Sequence, residues 1–171
     1  MLDPYLSWLE STAFSTWMRE STSIFAFPTV LALHTIGLGL IAGLNVALDL
    51  RILGFAARVP VPEFRCFVPL MWLGFCLNVT SGLALLAAYP TKALTNPVFY
   101  LKLGLIVVAL VILKVVRRRL LTVGMAVTMP ISGNFRLLAT ASLVCWAGAI
   151  TAGRLLAYTY TRLMFDSVPR P

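Results

Sequence analysis

The residue of this chain with the clearest chemical potential is its single histidine, His34. It lies in an apolar run from Phe25 to Asp49 that would extend about 36 Å as a helix, enough to cross a hydrocarbon core of roughly 30 Å. An ionisable residue inside a spanning helix indicates a functional site by default. Asn45 and Asp49 fall within about 60° of His34 around the helix, and Arg51 follows them at its end. We therefore predict a structural polar stripe of Asn45, Asp49 and Arg51, in which Arg51 points away from the Asp49 carboxylate.

Two cations in later apolar runs are predicted to lie at a similar depth to His34. Lys102 precedes Lys114 by about 18 Å of helix, less than the thickness of the membrane core, and Arg154 precedes the end of its run by roughly 9 Å. Apart from Asp49, the acidic residues lie outside the apolar runs, and buried charges need partners. Haem b would supply both kinds of partner, with iron for His34 and propionates for Lys102 and Arg154. The simpler alternatives are that both cations extend to the membrane surface and that His34 is a hydrogen-bonded packing residue.

The elements that must position these residues are transmembrane helices. The 171 residues are 60% hydrophobic and 12% charged, with a mean hydropathy of +0.91, far from the composition of a soluble domain. We predict an all-α integral membrane protein, a four-transmembrane-helix bundle with an N-terminal interfacial amphipathic helix, in one membrane domain over residues 1–171. The interfacial helix is predicted at 3–22, and the spans at about 25–53, 66–89, 98–116 and 137–160.

The net charge of +8 is explained by topology, so no nucleic-acid partner is expected. Lys and Arg flank the apolar runs, and the side carrying more of them is expected to be cytoplasmic. Eight lie around the first and third loops and four on the opposite side. We predict a protein of the bacterial inner membrane with both termini periplasmic.

Motifs of soluble enzymes are absent from the sequence. It contains no HExxH, CxxC or Gly-rich phosphate loop, and the three cysteines are expected to be buried thiols. Whether the protein is an enzyme stays open. Gly39 and Gly43 have the GxxxG spacing that permits close helix contact and would allow a homo-oligomer.

The segment LHTIGLGLIAGLNVALDLRILG, preceded by RESTSIFAFP, resembles a family of small bacterial membrane proteins of unassigned function with the pattern S…P…H…G…G…DLRxLG. More distantly, the chain resembles the membrane domains of HemJ-type protoporphyrinogen oxidases and copper-resistance D proteins. This resemblance implies that His34 is a haem-ligating histidine. It also implies that Lys102, in FYLKLGL, is a functional lysine. The chain has no second histidine, so the resemblance does not supply a bis-histidine haem site.

Three interpretations follow from the sequence. The first is a haem b-binding membrane protein with a redox or electron-transfer role, in which His34 is the metal ligand and Lys102 contacts a propionate or serves as the sixth ligand. Its partners would be a quinone or a redox protein. The second is a metal-handling transporter of the copper-resistance D kind. The third is a structural or assembly subunit of a larger membrane complex.

Overall fold

The computed structural model describes residues 3–122 and 133–166, and within them regular structure is helical. Seven α-helices follow in chain order: α1 (Asp3–Glu10), α2 (Ala13–Glu20), α3 (Phe27–Leu53), α4 (Val68–Ala88), α5 (Pro90–Leu94), α6 (Pro97–Val116) and α7 (Gly133–Asp166). A 3₁₀ segment, Val61–Phe67, leads into α4, and a π-helical segment, Arg117–Thr122, extends α6. Four helices are long and apolar enough to cross a membrane. The predicted all-α, four-span fold is confirmed, whereas the predicted loop between the last two spans lies largely outside the described residues.

Proline, glycine and asparagine set the ends of the spans. Pro28 occupies the first turn of α3, where a missing N–H costs little. The same helix ends at Gly54, whose φ of 110° is a left-handed conformation that suits glycine. Asn96 caps α6 because its Oδ1 accepts from the Val98 amide at 3.0 Å.

The N-terminal amphipathic stretch forms two short helices where the sequence predicts one. Thr12 separates them, since its hydroxyl accepts from the Ser15 amide and caps α2. The second helix is tied to the end of α4. Ser15 Oγ donates to the Ala88 carbonyl at 3.2 Å, and Arg19 Nη1 donates to the same oxygen at 3.1 Å. Trp8 remains 68% exposed, as expected of an aromatic residue at a membrane interface.

The four spans pack in the order α4, α3, α7, α6, because α3 pairs with α4, α6 pairs with α7, and α3 and α7 join the two pairs. Two glycines make the α3–α4 contact close. A Cβ on Gly37 would lie 2.6 Å from the Asn78 amide nitrogen, and a Cβ on Gly74 would lie 2.6 Å from Leu40 Cβ. Gly39 and Gly43 make no such contact within the described chain, and both are exposed. Within the described chain the close helix contact is made by Gly37 and Gly74, and a homo-oligomer through Gly39 and Gly43 stays a prediction.

The distribution of polarity is that of a membrane protein. Large apolar side chains are exposed along the spans, including Leu101, Val107 and Val111 of α6, each more than half exposed. Polar side chains are buried between the helices. Spans that expose large apolar side chains and bury polar ones suit hydrocarbon and not water. The chain is a multi-pass membrane protein.

Candidate functional site around His34

His34 lies near the end of the bundle at which α1, α2 and α5 are found, which we call the N-terminal end. It is half-buried between α3 and α4. The imidazole fits there because Gly82 of α4 has no side chain. A Cβ at that position would lie 3.1 Å from His34 Cε1, tighter than ordinary van der Waals contact.

Hydrogen bonds at one ring nitrogen favour one tautomer of His34. Nδ1 lies 3.1 Å from the Asn78 carbonyl oxygen, which can only accept, and 3.2 Å from Ser81 Oγ. The Ser81 hydroxyl has a closer acceptor in the Leu77 carbonyl at 2.6 Å, so its lone pair is left to accept from the ring. A third neighbour of Nδ1, Asn78 Nδ2 at 3.4 Å, donates at the shorter distance of 2.9 Å to the His34 carbonyl oxygen. The contact with the Asn78 carbonyl therefore favours the neutral ring with its proton on Nδ1. The Nε2 lone pair is then available to a ligand, and no hydrogen bond from the described residues reaches it.

The backbone of α3 is held at the same place. Asn78 Nδ2 donates to the His34 carbonyl oxygen at 2.9 Å. The Asn78 residue thus contacts both the ring and the main chain of His34. Together with Gly82, it fixes the position and the rotation of the imidazole.

Lys102 of α6 reaches towards the same region. Its side chain lies along Gly153 of α7, where an added Cβ would be 3.8 Å from Nζ. Its charge lies close enough to His34 to interact with the imidazole. Asn96, at the start of α6, donates to Thr159 Oγ1 of α7 at 2.8 Å and so holds the two helices together at this end.

No hydrogen bond among the described residues joins His34 to Arg154 or Arg51. Arg154 is exposed, one residue along α7 from Gly153 and turned to another face. Arg51 donates to the carbonyl oxygens of Val59 and Ala57 and stabilises the loop after α3. These bonds direct the guanidinium to the loop and not to the Asp49 carboxylate.

Asn45 and Asp49 form a separate cluster with α7, which we call the Asp49 cluster: Asn45, Asp49, Ser142 and Trp146. All four side chains are at most 1% exposed. Ser142 hydrogen-bonds Asp49 and accepts from Asn45 Nδ2 at 3.4 Å. Asn45 Oδ1, Asp49 Oδ2 and Trp146 Nε1 have no hydrogen-bond partner among the described residues.

Sequence reasoning missed the roles of Gly82 and Gly153, which admit the His34 and Lys102 side chains. It assigned no role to Asn78 or Ser81. One signal was present in the sequence, since Asn78, Ser81 and Gly82 lie at spacings of three and four residues and share a helix face. The three cysteines stay apart, with Cys66 and Cys76 exposed and only Cys145 buried.

The comparisons with known proteins add no name to this site. No protein-family model, curated protein or solved structure matches the chain. The chemistry of the site must therefore be interpreted from the geometry of the chain itself.

Proposed function

We propose that this multi-pass membrane protein binds haem b through His34 and has a redox or electron-transfer role. The observation that supports the proposal most directly is the hydrogen bonding of Nδ1. A metal-ligating histidine usually donates its other ring N–H to a carbonyl or carboxylate, which fixes the ring and its tautomer. The Asn78 carbonyl and the Ser81 hydroxyl do this for His34.

The residues near His34 fit part of what haem b requires. Haem needs an axial ligand, and its propionates need cationic partners. His34 Nε2 is suited to the first role and Lys102 to the second, or to the sixth ligand position. Arg154 is exposed, so Lys102 is the better placed of the two cations. When bound, the haem would supply one-electron transfer to a quinone or a redox protein.

The neighbouring residues of the chain hold the His34 ring in place. Asn78 and Ser81 hold the proton on Nδ1, and Gly82 allows the ring to lie against the α4 backbone. These features keep the Nε2 lone pair oriented and free of a competing hydrogen bond.

A second function, that of a structural or assembly subunit, is favoured by the same contacts. The bonds from Asn78 and Ser81 to His34 also lock α3 to α4 and would do so without any cofactor. A copper transporter has less support, because within residues 3–122 and 133–166 no three His, Cys, Asp or Glu side chains come together. Copper sites need clustered His, Met or Cys ligands.

An absorption spectrum distinguishes the two functions. We expect the purified protein, expressed with ample haem, to show a Soret band and reduced α and β bands that His34→Ala abolishes. Thr35→Ala is the matched control, since Thr35 is exposed and bonds only to the Leu31 carbonyl. It should keep the spectrum. A colourless wild-type protein would refute the haem proposal and favour the structural subunit.

We further propose the bacterial inner membrane as the location, with both termini in the periplasm. The excess of cations around the first and third loops supports this orientation. A C-terminal alkaline phosphatase fusion should therefore be active. An inactive phosphatase fusion, together with a fluorescent C-terminal green fluorescent protein fusion, would reverse the assignment.

A further inference from the structure

A groove runs between α4 and α6 in the half of the bundle farther from α1 and α2. It has a volume of about 420 Å³ and is lined by Met71 and Phe75 of α4, by Leu110 and Leu113 of α6, and by Ile41 of α3 beneath them. The groove follows from the packing order. Because α4 pairs with α3 and α6 pairs with α7, the two outer helices leave a furrow between them.

One end of the groove is basic. Lys114, Arg117 and Arg118 line it together with the apolar residues, and none of the described residues that line it is acidic. Lys114 and Arg118 are four residues apart and therefore lie on one face of the extended helix. Both side chains are exposed. They lie where α6 passes into its π-helical extension, at the end of the span.

The apolar walls and the basic end of the groove together specify the chemistry of a ligand. From Leu110 to Arg118 the groove extends for about 12 Å along the helix, with hydrocarbon contacts at one end and cations at the other. A wholly apolar molecule would make no use of Lys114 and Arg118, and a small anion would leave the apolar walls unused. An amphiphile with a negative head and a hydrocarbon tail uses both.

We propose that the α4–α6 groove binds an anionic phospholipid. The lipid phosphate lies at Lys114 and Arg118, and one acyl chain lies against Phe75, Leu110 and Ile41. Basic pockets between transmembrane helices recognise anionic lipid head groups in this manner. The site is separate from His34, so it stands whether or not the chain binds haem.

Lipid competition measured by native mass spectrometry tests the proposal. The delipidated full chain in detergent is offered equal amounts of phosphatidylglycerol and phosphatidylcholine. We expect preferential retention of phosphatidylglycerol, with the preference falling about fivefold for each cation removed in Lys114→Gln and Arg118→Gln. Arg58→Gln and Arg136→Gln are matched controls, because both residues are exposed cations that do not line the groove. They should keep the preference.

A second variant tests the acyl-chain position. Leu110→Trp should fill the groove and reduce retention of both lipids, with size-exclusion elution and circular dichroism unchanged.

Equal retention of the two lipids by the wild type would overturn the proposal. So would an equal loss in the control variants, which would indicate general attraction to the basic surface. Displacement of the lipid by millimolar inorganic phosphate would instead identify a free-phosphate site. Displacement by a neutral quinone, with no effect of Lys114→Gln or Arg118→Gln, would instead identify a quinone site. Unchanged retention in Leu110→Trp would also contradict the proposal.

Discussion

His34 and Asp49 lie on the same helix and on nearly the same side of it, yet their surroundings differ. Around His34, the ring Nδ1 and the main-chain oxygen have partners on α4. In the Asp49 cluster, three buried polar atoms lack a partner among the described residues. A satisfied polar group positions its neighbours, whereas an unsatisfied one costs free energy. Polar groups of α3 are therefore satisfied where they meet α4, whereas those that meet α7 are only partly satisfied by the described residues.

The largest expected effect comes from Gly74→Ala, which breaks the contact on the α4 side. The new Cβ would lie 2.6 Å from Leu40 Cβ and 2.9 Å from the Ile41 amide nitrogen, so the helices must separate. We expect a loss of about 1–3 kcal/mol in the free energy of unfolding, measured by denaturant titration in detergent micelles. Gly43→Ala should have little effect, because a Cβ added there would meet nothing within 4 Å among the described residues. Equal stability of the two variants would mean that the close approach of α3 and α4 contributes little.

Asp49→Asn should increase the free energy of unfolding, whereas Gly74→Ala should decrease it. The substitution removes a buried carboxylate whose Oδ2 has no partner among the described residues, and it adds an amide that can donate to Asn45 Oδ1. We expect the free energy of unfolding to rise by roughly 1 kcal/mol, measured by the same titration. Glu20→Gln, at an exposed acidic residue, should leave it unchanged. A clear loss of stability in Asp49→Asn would show that the carboxylate has a stabilising partner and would remove the contrast with His34.

The smallest change in the free energy of unfolding is expected for Ser81→Ala. It removes one of the two acceptors at His34 Nδ1 and leaves the Asn78 carbonyl in place. We expect a loss of about 0.5 kcal/mol, visible as a small shift in the unfolding midpoint. Thr80→Ala is the control, because Thr80 makes the same bond to the preceding turn but is exposed. An identical shift in both variants would show that the bond to the imidazole has no separate effect.

The fold could be predicted from the sequence because span length and polarity are local properties of a segment. The partners of His34 could not, because they depend on how two helices cross. The choice between Gly37 and Gly39 as the contact residue illustrates this. Both lie in the same turn of α3, and only Gly37 faces α4 closely.

Depth and rotation also differ in how well they can be predicted. Counting residues places Lys102 and Arg154 at similar depths, since helical rise is constant. Their rotation about α6 and α7 depends on packing, and the structure turns Arg154 outwards and lays Lys102 along Gly153. The haem-binding roles of His34, Lys102 and Arg154 stay predictions.

The bonds from Ser15 and Arg19 to the Ala88 carbonyl have a consequence for the order of events during synthesis. Helix α2 leaves the ribosome before α4, but the oxygen to which it donates belongs to a residue 73 positions after Ser15. The attachment of α2 must therefore wait until the end of α4 has been made. A segment that is synthesised before these two spans is secured only after them.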